Sequence, residues 1–123
     1  YFVLSSDFGV FSENGTIGLA ISLSTDNGLG STNNAHGEIP HDRWIHFVGT
    51  YNGTTIKAYI NGELKDSTEW AGNLHDRYWP LSFGYFGKPT ISPRYWSGRL
   101  DDVRIYNRVV SQQEIEQLYH EGG

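Results

Sequence analysis

The chain has 123 residues, a formal net charge of −5, 15 % aromatic residues, 15 Gly and no Cys. That length holds one domain, residues 1–123, which can bury a usable core without disulfides; the lack of Cys excludes disulfide frameworks, thiol catalysis and thiolate metal sites. The acidic balance argues against nucleic acid or an anionic membrane as partner, since basic patches bind both, and no apolar run is long enough for a membrane span.

The chain opens Tyr1-Phe2-Val3-Leu4 with neither a start Met nor a signal peptide, which predicts a piece of a longer, processed precursor. Four Trp, eight Tyr and abundant Gly favour strands and turns over helix. Residues 8–11 lead through Asn14-Gly15 into a strand over 16–24, where Ile17, Leu19, Ile21 and Leu23 alternate with small residues as one buried face requires. Asp26-Asn27-Gly28 is expected to end it, with a polar loop over 28–37. Trp44–Tyr51 has bulk on both faces and predicts a central strand, Trp44 in the core and His46 buried and hydrogen-bonded. Asn52-Gly53 and Asn61-Gly62 are the dipeptides that tight type I′ hairpins prefer, and the second joins strands over 56–60 and 63–67. An aromatic loop over 68–79 precedes a short strand at 81–84, and 87–95, with Pro89 and Pro93, is expected to be irregular. A strand over 97–106 follows. The period then changes: Ser111-Gln112-Gln113-Glu114 is a capping box, Val110 and Ile115 are spaced as a hydrophobic staple, and Ile115, Leu118 and Tyr119 form one apolar face that Gly122 ends.

Two stretches carry a family likeness. Asp42-Arg43-Trp44-Ile45-His46-Phe47-Val48-Gly49-Thr50-Tyr51-Asn52-Gly53, with Ile56-Lys57-Ala58-Tyr59-Ile60-Asn61-Gly62-Glu63-Leu64 after it, resembles the central hairpins of laminin-G-like domains. Ser97-Gly98-Arg99-Leu100-Asp101-Asp102-Val103-Arg104-Ile105-Tyr106-Asn107-Arg108 is similar to their closing strand. The resemblance implies an all-β, antiparallel β-sandwich of the concanavalin A-like jelly-roll type with one short C-terminal helix. It also implies that strands which normally precede the segment resembling residues 2–5 are missing, so that a partner polypeptide or a second copy completes the sheet; the competing expectation is a minimal sandwich closed on itself.

Fold does not fix function here, because relatives include lectins, adhesive domains and glycoside hydrolases. Hydrolases of this kind carry Glu-x-Asp-x-Glu on one strand, and that pattern is absent from the chain; adjacent Asp101 and Asp102 are expected on opposite strand faces. The expectation is therefore no enzyme. The resemblance suggests Asp101 as a ligand of a structural Ca2+, an ion that prefers oxygen donors; the alternative is that Asp101 or Asp102 pairs with Arg104 or Arg99, or accepts backbone N–H bonds. For carbohydrate binding the candidates are Trp70, Tyr78 and Trp79 with His75, Asp76 and Arg77 among them, in a loop at the sandwich rim; Tyr85, Phe86, Tyr95 and Trp96 frame the next loop, and the alternative for Trp79 and Trp96 is that each begins a strand and packs inward. The function expected is a non-catalytic glycan-binding or adhesion module of an extracellular or cell-surface protein. A protein-interaction or assembly module is the alternative, and a relict glycoside hydrolase the third.

Overall fold

From Ile45 to Tyr51 every residue of the strand Trp44–Tyr51 is buried, as bulk on both faces demands of a strand inside a sandwich. The computed structural model describes residues 2–10, 22–32, 44–74, 85–88, 91–95 and 98–121. Among these the elements run β1 (Phe2–Val10), β2 (Ser22–Thr25), β3 (Gly28–Ser31), β4 (Trp44–Tyr51), β5 (Thr55–Ile60), β6 (Glu63–Glu69), β7 (Tyr85–Lys88), β8 (Ile91–Tyr95), β9 (Gly98–Tyr106) and α1 (Gln112–Glu121). The strands pair antiparallel, in one sheet ordered β6-β5-β4-β1-β9 and two hairpins, β2-β3 and β7-β8. The expected all-β sandwich with one short C-terminal helix is what the chain forms. Among the described residues no helix is long and apolar enough to cross a membrane.

The β4–β5 register sorts the side chains into two faces. Phe47 pairs with Ile60 and Tyr51 with Ile56 on one face; Val48 pairs with Tyr59 and Thr50 with Lys57 on the other. The second face is closed by α1: Val48, Tyr59, Val110 and Ile115 form one buried cluster. The capping box exists as expected, with the Glu114 N–H donating to Ser111 Oγ (3.2 Å) and the Ser111 N–H to Glu114 Oε1 (3.3 Å), and Val110 and Ile115 are both buried as the staple requires. Asn61 (φ 51°) and Gly62 (φ 80°) make the two-residue turn between β5 and β6 with both central residues at positive φ. Asn61 also extends β4: the His46 N–H donates to Asn61 Oδ1 (2.9 Å) and the Asn61 N–H to the His46 carbonyl (2.8 Å).

Several expectations are corrected. Trp44 is 48 % exposed rather than core, because it opens β4 opposite Gly9, which has no side chain to pack on it. His46 is buried as expected and stacks on Tyr119 at 6.0 Å. Residues 28–31 are a strand rather than loop, since Asp26-Asn27 turns β2 directly into β3. Asn52-Gly53 is not a two-residue hairpin turn: the Asn52 side chain accepts the Thr54 and Thr55 N–H groups (2.9 and 2.8 Å) and rounds a longer connection. The described part of the expected irregular stretch, residues 87–88 and 91–95, is strand, because Tyr85–Lys88 pairs with Ile91–Tyr95; Pro93 falls where the register shifts, a place that tolerates a missing N–H. The expected loop at 68 starts later, as β6 runs to Glu69. Asn14-Gly15, the 16–21 part of the first predicted strand, the strand at 81–84 and Gly122 lie outside the described residues. β1, which contains residues 2–5, before which the resemblance implied missing strands, lies inside the sheet between β4 and β9.

Candidate functional site

Trp70 follows the last residue of β6 and is fixed from three directions. Its N–H donates to the Thr54 carbonyl (2.9 Å), and the Gly72 N–H donates to the Gly53 carbonyl (3.1 Å), so residues 70–72 run along the β4–β5 connection. The Tyr51 hydroxyl, on a side chain only 1 % exposed, shares its proton between the carbonyls of Gly72 (2.5 Å) and Trp70 (3.0 Å). The indole Nε1–H donates to Thr25 Oγ1 (3.1 Å), and the ring lies flat against Gly30, where any Cβ would collide with it. Beyond Trp70 the chain is laced to the β2–β3 turn: Asn73 N–H to Asp26 Oδ1 (2.9 Å), Asp26 N–H to the Asn73 carbonyl (3.1 Å) and Asn27 Nδ2–H to the Ala71 carbonyl (2.7 Å). Leu74 bridges back to Thr25.

This corner is therefore the rigid root of the loop expected to bind sugar. Of the expected sugar-contacting residues the structure places Trp70, half-buried with its only polar atom already hydrogen-bonded. His75, Asp76, Arg77, Tyr78 and Trp79 lie outside the described residues, as does Trp96. Tyr85 and Phe86 fall on β7 and Tyr95 on β8. Two apolar residues at the same corner, Leu29 (71 % exposed) and Leu74 (39 % exposed), had no sequence signal, because Leu29 stood in an apparently polar stretch.

Asp101 and Asp102 sit at a bulge in β9. The β1–β9 register slips there, with Ser5 opposite Arg104 and Asp7 opposite Asp101, and Asp102 has φ 52°; strand alternation between the two Asp is interrupted at such a point. Asp101 Oδ1 accepts the Asp102 N–H (2.8 Å), and Arg104 makes two bonds of 3.2 Å to the Asp102 carboxylate and another of 3.2 Å to Glu121 on α1. Calcium needs six to eight oxygens. Among the described residues no three His, Cys, Asp or Glu stand together to hold a metal, so the described side chains alone do not compose such a shell; the backbone N–H and Arg104 contacts match the alternative expectation for this pair.

Among the described residues, two clefts flank α1. One, of about 210 Å³, is lined by Arg104, Arg108, Glu114 and Glu121 among others, and its cations are already matched. Arg108 grips Glu114 through two bonds (3.0 and 2.6 Å), and this guanidinium, with the Ser111 N–H, pulls the Glu114 carboxyl down to about 2. The other, of about 300 Å³, lies between β4–β5 and the segment entering α1 and is lined by Thr50, Lys57, Tyr59, Leu64 and Val109 among others.

A family model described as the concanavalin A-like lectin/glucanases superfamily matches residues 5–116. No curated protein matches the chain. Among solved structures, a mutant Trypanosoma rangeli sialidase displaying trans-sialidase activity is similar at 20 % identity and a TM-score of 0.58, over 96 % of this chain and 22 % of that one. The binding domain of botulinum neurotoxin DC, solved in complex with SialylT, is similar at 13 % identity and a TM-score of 0.51, over 98 % of this chain and 35 % of that one. The chain thus spans about a fifth and about a third of those two, and at such identities the likeness is one of fold.

Proposed function

Because the chain belongs to the concanavalin A-like lectin/glucanase superfamily, we propose that it is a non-catalytic sugar-binding module of a larger extracellular or cell-surface protein. The family match over residues 5–116 carries this reading. It is supported by the Trp70 corner, a rigid base from which Tyr78, Trp79, His75, Asp76 and Arg77 follow within nine residues; aromatic faces with polar neighbours suit the apolar and hydroxylated sides of a sugar ring. One structural neighbour is itself a toxin binding domain in complex with SialylT, which agrees with this use of the fold.

Absence of catalysis is the second part of the proposal. No Glu-x-Asp-x-Glu run occurs in the chain, Asp102 is bound to Arg104 and Glu114 to Arg108, whereas a glycosidase needs two carboxyl groups free to flank one bond. Incubation with a panel of polysaccharides should release no reducing ends while a glycan array gives at least one hit. Turnover that a single carboxylate substitution abolishes would reverse this part.

An assembly module is the second reading. Its support is β9, an edge of the five-stranded sheet among the described residues, where Leu100 is 39 % and Ile105 51 % exposed. Sedimentation at micromolar concentration tests it: a 13.9 kDa species removes self-assembly through that edge.

A further inference from the structure

The cleft between β4–β5 and the entry to α1 combines features that the Trp70 corner does not explain. Thr50 and Tyr59 line it and are only 3 % and 6 % exposed. Neither side-chain hydroxyl makes a hydrogen bond among the described residues, and neither oxygen is itself fully buried, so both are open to a partner that enters the cleft. Tyr59 has its pKa raised by burial alone, so its hydroxyl stays protonated and able to donate. Lys57, two residues before Tyr59 on β5 and directly opposite Thr50, brings an ammonium to the same cleft. Among the described residues it has no carboxylate partner, in contrast to Arg104 and Arg108 on the other side of α1. No Asp or Glu is among the described residues lining the cleft.

The rest of the lining is apolar and open. Leu64 is 44 % and Val109 40 % exposed, and both border the cleft, a position that costs hydration unless something covers them. Its volume, about 300 Å³, stands at the lower end for small-molecule sites, so it suits one sugar-sized unit better than an extended chain. A site with one ammonium, two hydroxyls open to the cleft and an apolar wall is complementary to a molecule with one carboxylate, several hydroxyls and a C–H face.

We infer that this cleft is a second binding site, separate from the Trp70 corner, for a carboxylate-bearing monosaccharide unit. Lys57 pairs with its carboxylate, Thr50 and Tyr59 bind its hydroxyls, and Leu64 and Val109 cover its apolar face.

The test is calorimetric titration of the whole chain with D-glucuronate, D-glucose and acetate at low salt, repeated on Lys57→Met and Tyr59→Phe. D-glucuronate should bind with a millimolar or tighter constant, and glucose and acetate at least about tenfold more weakly, because each lacks half of the matching groups. Lys57→Met should weaken D-glucuronate about tenfold, and added salt should weaken it in the intact chain but not in that variant. Tyr59→Phe should also weaken it while leaving the melting temperature level, since the hydroxyl it removes has no partner among the described residues to lose. Equal affinity for glucuronate and glucose, acetate binding as well as glucuronate, no glucuronate binding at all, or a Lys57→Met titration like that of the intact chain would each overturn the inference. A Tyr78→Ala/Trp79→Ala variant that loses array binding but keeps D-glucuronate separates this site from the rim site, so either can fail without the other.

Discussion

Tyr51 shows how much one side chain can do at the root of a loop. Its ring is buried, and its hydroxyl anchors the carbonyls of Trp70 and Gly72. Tyr51→Phe keeps the ring and leaves two carbonyls short of a donor, which should cost about 1–3 kcal/mol; chemical denaturation of the variant measures it, and an unchanged midpoint would mean that water replaces the bond at no cost. Gly30→Ala attacks the same corner from the other side by pushing its new methyl into the Trp70 ring. It should destabilise by roughly 1–3 kcal/mol, as overpacking does, and a near-neutral melting shift would show that the indole moves aside. Sequence reasoning found Trp70 as an aromatic worth attention, but not that its nitrogen is bound to Thr25, forty-five positions away. It misplaced Trp44 because strand periodicity says which face a residue takes and nothing about what stands opposite. Gly9 stands opposite.

The elements with local signatures were legible, and those held by distant contacts were not. The capping box of α1, its staple and the Asn61-Gly62 turn are each written within a few residues, so composition and spacing suffice. The Gly28–Ser31 strand has sequence Gly-Leu-Gly-Ser, with no alternation to detect, and exists because the turn before it is tied to residues 71–74. The β7–β8 hairpin contains Pro93, which ordinarily argues against a strand. The helix start also carries a pH signature. Glu114, held by Arg108 and the Ser111 N–H, has its pKa lowered from 4.5 to about 2. A carboxylate depressed by folding stabilises above its unfolded pKa and loses that contribution as pH falls through the folded one. Glu114→Gln should therefore be less stable than the intact chain above about pH 5, and the gap should close between about pH 4.5 and 2; a gap that persists unchanged to pH 2 would exclude the Arg108 pair as its source.

At the scale of the whole molecule, family and architecture were readable from two motifs, while the ligand was not, since the same sandwich serves lectins and hydrolases. Calcium enters only as a separate proposal for Asp101, whose carboxylate accepts the N–H beside it. If the ion belongs to the folded state, EDTA should lower the melting temperature, added calcium should restore it by mass action, and Asp101→Ala should abolish the response. A melting curve indifferent to EDTA in both proteins removes the metal from the account.

The central claim is that this fold presents a sugar-binding loop on the Trp70 corner, and direct titration of the best array glycan into the intact chain tests it. Binding through aromatic stacking and hydrogen bonds should fall between about 10 µM and 1 mM, or about −7 to −4 kcal/mol, with quenching of Trp fluorescence. Tyr78→Ala/Trp79→Ala, which leaves Trp70 and its hydrogen bonds in place, should melt like the intact chain and bind at least about tenfold more weakly. A folded double variant that binds and quenches as the intact chain does would contradict the claim.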